Sequence, residues 1–180
     1  MARLKVLTVP DSRLKLKAAP VPAVDDGIRR LMDDMLETMY AEDGIGLAAI
    51  QVGIQKRVIV MEIPSEDEKT PGVVYKMANP EIIWASNETC SYNEGCLSVP
   101  GQRAEVDRPT QVKVRFLDEN NTLQELEADH ILARCVQHEI DHLDGKLYID
   151  YLTPLKKQLL VKKAQRLMAP VSKEESPSSL

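Results

Sequence analysis

The sequence predicts an α+β domain, and three observations carry that prediction. Helical periodicity near the N-terminus, a block of strand-like runs in the middle and a return to helical periodicity after residue 130 place helices before and after grouped strands, not in alternating βαβ units. The expected architecture is a set of mixed or antiparallel strands packed around a central helix bearing an HExxH pattern, with an N-terminal helix and a C-terminal helix.

Ile28, Leu31, Met32, Met35, Leu36, Met39 and Tyr40 recur at spacings of three and four, which predicts a helix over about 25 to 41 with Asp25 or Asp26 as N-cap. "EDGIGLAAIQVG" carries three glycines and reads as a loop, and "KRVIVMEI" reads as a buried strand ended by Pro64. Strand-like runs follow at 73–78, 81–91, 102–107, 111–118 and 123–129, the last two joined by "DENN" as a hairpin. The second helix starts at Ile131 and ends near Gly145, a glycine C-cap. A third starts with Thr153 as N-cap and Pro154 in the first helical position, and stops before Pro170.

At 180 residues the chain is long enough for one core and short for two, so residues 1–169 are expected to form a single domain. The tail 170–180 has little apolar content and is expected to be disordered. A hydrophobic fraction of 43% and a charged fraction of 28% are ordinary for a soluble globular protein. No apolar run approaches the roughly 18 residues of a membrane span, and the first 20 residues lack the apolar block of a secretory signal. Three cysteines, Cys90, Cys96 and Cys135, are too few for a disulfide framework. Together these features predict a cytoplasmic protein. The net charge of -5 argues against nucleic-acid binding by the surface as a whole, and no DNA partner is expected, while a local basic patch could still bind RNA.

The most informative stretch is "HEIDHLDGKLY", residues 138 to 148. Residues at i and i+4 lie one turn apart on the same helix face, so His138 and His142 can hold one metal ion. Glu139 then sits beside a metal-bound water as general base. A catalytic site of this kind takes three protein ligands and leaves one position open. Tyr148 stands where one protease subclass has its third histidine, and the only later glutamates, Glu174 and Glu175, lie in the tail. The third ligand is therefore sought upstream. Cys96, in "EGCLSVPG", is the best candidate, because a thiolate binds divalent transition metals well and the surrounding residues form a tight loop. Cys135 is its rival, but three ligands at i, i+3 and i+7 would be spread over about 10 Å of helix rise. Cys135 is better read as a pocket-lining residue, Cys90 as an ordinary strand residue and His130 as a surface or capping residue.

Three segments, "GIGLAAIQ" at 44–51, "EGCLS" at 94–98 and "HEIDH" at 138–142, stand in an order and spacing that resembles the peptide deformylase family, in the bacterial class that ends in a helix. The resemblance implies removal of the formyl group from the N-terminal formylmethionine of nascent peptides, with release of formate. It also implies one divalent ion, Fe²⁺ in the cell, replaceable by Ni²⁺, Co²⁺ or Zn²⁺, held by Cys96, His138 and His142. On that reading a metal-bound hydroxide attacks the formyl carbon and Glu139 is the general acid and base. The Gln51 amide and the Leu97 backbone N–H are expected to stabilise the oxyanion. An extended substrate is expected to lie along Gly44, Ile45, Gly46, Glu94 and Gly95 as an added strand, with Arg103 contacting its backbone further along.

By the same analogy Ile131, Arg134, Cys135 and His138 line the methionine pocket, where Arg134 departs from the better-known apolar lining. The third helix carries Lys156, Lys157, Lys162, Lys163 and Arg166 with no acid from 153 to 169. That face reads either as a solvated surface with Leu155, Leu159 and Leu167 turned inward or, as the family implies, as a docking face for ribosomal RNA near the exit tunnel. A general HExxH metallopeptidase is the alternative enzyme reading, and a metal-binding module without activity is the non-enzymatic one.

Overall fold

The computed structural model describes residues 3–65, 67 and 70–169; the expectation for the 170–180 tail lies outside them. Asp25 caps the first helix, α1 (Asp26–Ala41), by accepting from Ile28 N at 2.9 Å. Three strands follow, β1 (Gly46–Ala48), β2 (Val58–Ile63) and β3 (Val73–Ala85), and then β4 (Thr89–Cys96), β5 (Val99–Pro109), β6 (Gln111–Leu117) and β7 (Leu123–Asp129). The chain closes with α2 (His130–Leu143) and α3 (Pro154–Met168). One sheet has the order β1-β2-β3-β6-β7 and a second pairs β4 with β5; every strand pairing within them is antiparallel.

The apolar run of β2 has a direct structural cause. Its side chains alternate between the two faces of the sheet, and both faces are covered. Val58 and Val60 pack with Met32, Met35 and Met39 of α1, while Ile59 and Met61 pack with Val136, Ile140 and Leu143 of α2. A third cluster joins β5 to α3 through Val99, Ala104, Val106, Leu160 and Ala164, with Tyr148 and Ile149 between them.

Several boundaries differ from expectation. The "GIGLAAIQ" segment is not a plain loop: Gly46, Leu47 and Ala48 pair with Met61, Val60 and Ile59 before a 3-10 turn, Ala49–Val52. A three-residue strand shows no alternation long enough to read. The runs expected at 73–78 and 81–91 do not meet at a break; β3 passes through Asn79 and Pro80, and its register with β6 shifts between Ala78 and Glu81. Pro80 is tolerated because a bulge needs no ladder N–H there. Asn79 takes a φ of 51°, and its amide exchanges two 2.8 Å hydrogen bonds with the backbone of Val21.

The end of α2 follows the glycine rule. Gly145 adopts φ 74°, and a Cβ there would overlap the carbonyl of Lys15. In α3 the inward face differs from the one expected. Leu160 and Ala164 are buried, whereas Leu155, Leu159 and Leu167 are exposed. Only a narrow stripe meets β5, and residues one position off it turn about 100° away. Of the five basic residues on this helix, Lys157 is tied to Asp150.

Candidate metal centre

Strand β4 and helix α2 run side by side, and their periodicities put six side chains face to face. Residues 92, 94 and 96 share one face of the strand, while residues 134, 138 and 142 share one face of the helix. Cys96 Sγ lies 3.2 Å from His142 Nε2. Glu94 Oε2 lies 2.8 Å from His138 Nδ1. The guanidinium of Arg134 lies 4.9 Å from the centre of the Tyr92 ring.

The Cys96, His138 and His142 ligand atoms all fall within 4.8 Å of one another, and the two Nε2 atoms are 3.3 Å apart. Ligands bound tetrahedrally at about 2.0–2.3 Å are separated by roughly 3.3–3.8 Å, so this set fits one divalent transition ion. Glu94 fixes the tautomer and ring orientation of His138 by accepting from Nδ1–H, which turns Nε2 toward the site. Burial, with nearby positive charge second, pushes His142 well below its usual pKa and keeps the ring neutral. Tyr148 is not a ligand: its ring stacks on His138 at 6.2 Å, and its hydroxyl donates to the carbonyl of Gln102.

Glu94 is itself held. Arg108 engages both of its oxygens and reaches Asp141 at 2.9 Å, and Tyr151 donates to the same Asp141 oxygen. Burial opposes ionisation of Glu94, but hydrogen bonds from His138 and Arg108 outweigh it and hold the carboxyl down at about 2. Glu139 stands in the opposite situation. It is buried, Oε2 has no hydrogen-bond partner among the described residues, and burial pushes its pKa up to about 7. A carboxyl poised there can both accept and return a proton near neutral pH.

Beside this cluster opens a cavity of about 490 Å³. Its walls include Gly44, Ile45, Gly46 and Gln51 from the glycine segment, Glu94, Gly95, Cys96 and Leu97 from the end of β4 and its turn, and Arg103 from β5. Helix α2 contributes Arg134, Cys135, His138 and Glu139. His142, fully buried, sits beneath it. Ile131 is not in the lining; it lies seven residues and about 10 Å of helix rise before His138. Gly46 is required by close approach, since a Cβ there would overlap Glu139 Oε1 and press on Cys135 Sγ. The Gln51 amide is fixed: Oε1 accepts from Ala48 N at 2.8 Å, and Nε2 donates to Ser98 Oγ at 3.1 Å and lies 3.5 Å from Cys96 Sγ. Cys90 is exposed, and so is His130 at the start of α2.

Sequence reasoning missed Arg108, Asp141, Tyr151 and Ser98, which hold the ligands and Gln51, and Asp43, Asn93, Gly101 and Gln102 in the lining. Asp141 lies inside "HEIDH", but Arg108 is visible only once β5 lies beside β4, where it opposes Cys90.

The profile of the polypeptide deformylase family matches residues 3–158. The peptide deformylase of Rickettsia akari (strain Hartford) is 51% identical over 170 residues, covering 93% of this chain and 97% of the relative. "Peptide deformylase 1" of Pseudomonas syringae pv. tomato is 53% identical over 166 residues, covering 92% and 96%. Among solved structures, the peptide deformylase of Ehrlichia chaffeensis in complex with actinonin superimposes with a TM-score of 0.89 at 44% identity, covering 94% of this chain and all of that one.

Proposed function

The chain belongs to the polypeptide deformylase family, and from that premise we propose which of its residues carry out the family's reaction. The protein is a metal-dependent hydrolase that removes the formyl group from the N-terminal formylmethionine of polypeptides. The observation that supports the assignment is the convergence of Cys96, His138 and His142 beside the buried, otherwise unpartnered Glu139.

Cys96 at the end of β4 and His138 and His142 of α2, the central helix around which the strands of the single domain pack, would hold the ion. Bound there, a divalent ion lowers the pKa of water and polarises a carbonyl. Glu139 takes the proton of the attacking water as its oxygen bonds to the formyl carbon. It then gives that proton to the nitrogen as the C–N bond breaks, leaving formate and a free N-terminus. Leu97 offers its backbone N–H to the developing oxyanion, and Gln51 offers the amide hydrogen not used by Ser98. Gly44, Ile45, Gly46, Glu94 and Gly95 receive the substrate main chain as an added strand, which makes recognition tolerant of sequence. Arg103 contacts the chain further along, and Arg134 and Cys135 border the methionine subsite.

Iron(II) is the cellular ion in this reading, a soft-and-imidazole donor set being also suited to Zn²⁺, Ni²⁺ and Co²⁺; metal analysis after anaerobic purification returning zinc alone would refute it. No helix among the described residues is long and apolar enough to cross a membrane, and the place of action is the cytoplasm, at the ribosome. The basic face of α3 supplies salt-sensitive attraction to ribosomal RNA. Reversing Lys162, Lys163 and Arg166 to Glu should abolish cosedimentation with ribosomes; unchanged cosedimentation would refute that docking. The deformylase assignment itself is tested with formyl-Met-Ala-Ser and casein. Formate release with intact casein is the expected result, and cleavage of casein without formate release would point to a general metallopeptidase.

A further inference from the structure

The third rung between β4 and α2 has no part in holding an ion. Two strand residues advance about 6.7 Å and four helix residues about 6 Å, so the Tyr92–Arg134 contact repeats the spacing of the two rungs before it. Arg134 therefore stands one step beyond His138, on the same helix face and on the wall of the same cavity. That distance suits the end of a side chain whose own amide nitrogen lies at the metal centre.

Arg134 is one of two arginines lining that cavity, the other being Arg103, and the one carried by α2. Cys135, Ile45 and Gly46 line the same cavity and offer an apolar surface to a thioether. The guanidinium carbon of Arg134 lies 4.9 Å from the centre of the Tyr92 ring, and among the described residues no carboxylate pairs with it. A cation–π contact of this kind uses no N–H donor, so it holds the guanidinium in place and leaves its donors for another acceptor. The cavity thus holds a pre-oriented, charged donor with no acceptor of its own.

We infer that the Arg134–Tyr92 pair extends the substrate class of this enzyme to peptides beginning with formylmethionine sulfoxide, the guanidinium donating to the sulfoxide oxygen. The inference rests on the deformylase reading and on the methionine subsite assigned above. Oxidation turns the thioether of methionine into a polar group with a strong acceptor oxygen. An all-apolar pocket would leave that oxygen without a donor, whereas a fixed guanidinium satisfies it. The bond changes are those of the ordinary reaction: water adds to the formyl carbon, the C–N bond breaks, formate leaves, and the sulfoxide passes through unaltered.

The test compares kcat/KM for formyl-Met(O)-Ala-Ser with that for formyl-Met-Ala-Ser on the same metal-loaded preparations. In the unmodified enzyme the ratio should stay within about tenfold of unity, and Arg134→Leu should lower it at least about tenfold further. Arg134→Lys, which keeps the charge but cannot stack as a planar fork, should fall between the two. Tyr92→Leu should also lower the ratio, because the guanidinium loses its platform. Using a ratio removes any general loss of folding or metal from the comparison. An equal ratio in the unmodified enzyme and in Arg134→Leu overturns the inference while leaving the deformylase assignment standing. Failure of the unmodified enzyme to release formate from formyl-Met-Ala-Ser overturns that assignment instead.

Discussion

Glu94 accepts a 2.8 Å hydrogen bond from Nδ1 of His138 while Arg108 engages both of its oxygens. The arrangement ties the orientation of a metal ligand to a buried ion pair that continues through Asp141 to Tyr151. Partners of this kind typically contribute 10–100-fold to metal affinity, so Glu94→Gln is expected to weaken binding by about that factor. Competition with a chromophoric chelator measures it, and an unchanged dissociation constant would remove Glu94 from this role.

The same carboxyl gives a pH dependence of stability in the metal-free protein. Its folded pKa is depressed from 4.5 to about 2. The stabilisation is therefore fully present above the unfolded value and is lost as pH falls through the window from about 4.5 to about 2, amounting to roughly 3 kcal/mol at neutral pH. Denaturant unfolding of the unmodified protein and Glu94→Gln should differ by about that amount at pH 7, and the gap should close as pH approaches 2. A gap that stays constant across the range would show that the ion pair contributes no net proton linkage.

Glu139→Gln keeps the shape of the side chain and removes its ability to take a proton. The expected loss in kcat is about 10²–10⁴-fold, with metal content unchanged because Glu139 lies outside the three-ligand set. Loss of metal together with activity would instead make Glu139 a ligand.

Gly46 is where strand β1 passes closest to the catalytic carboxyl. Gly46→Ala places a methyl group that overlaps Glu139 Oε1 and presses on Cys135 Sγ, with an expected cost of about 1–3 kcal/mol in folding stability. It should also lower kcat by displacing the carboxyl. Thermal unfolding and turnover of the variant check both effects, and wild-type values for both would mean the carboxyl has room to move aside.

Much of this was legible in the chain because it depends on local periodicity. The i, i+4 histidines declare a helical site, Asp25 and Thr153 declare helix starts, and the uninterrupted run in β2 declares burial on both faces. Cys96 was legible only by elimination, since its meeting with His142 spans 46 positions of sequence. Arg108 was not legible at all, because nothing local marks which of many arginines will face a buried carboxylate. The apolar spacing in α3 misled for a related reason: Leu155, Leu159 and Leu167 fit a helical stripe, but the face packed on β5 buries Leu160 and Ala164, with Val161 partly buried beside them. Ile131, expected in the methionine pocket by analogy alone, is not among the residues lining the cavity.

Anaerobic titration of metal-free protein with Fe²⁺, following bound iron and formate release from formyl-Met-Ala-Ser together, joins ligand set and chemistry in one measurement. Formate release should rise in proportion to bound iron and saturate at about one ion per chain, as expected for a single three-ligand catalytic site. A fully loaded protein that releases no formate, or activity that is complete before iron binds, would contradict the account.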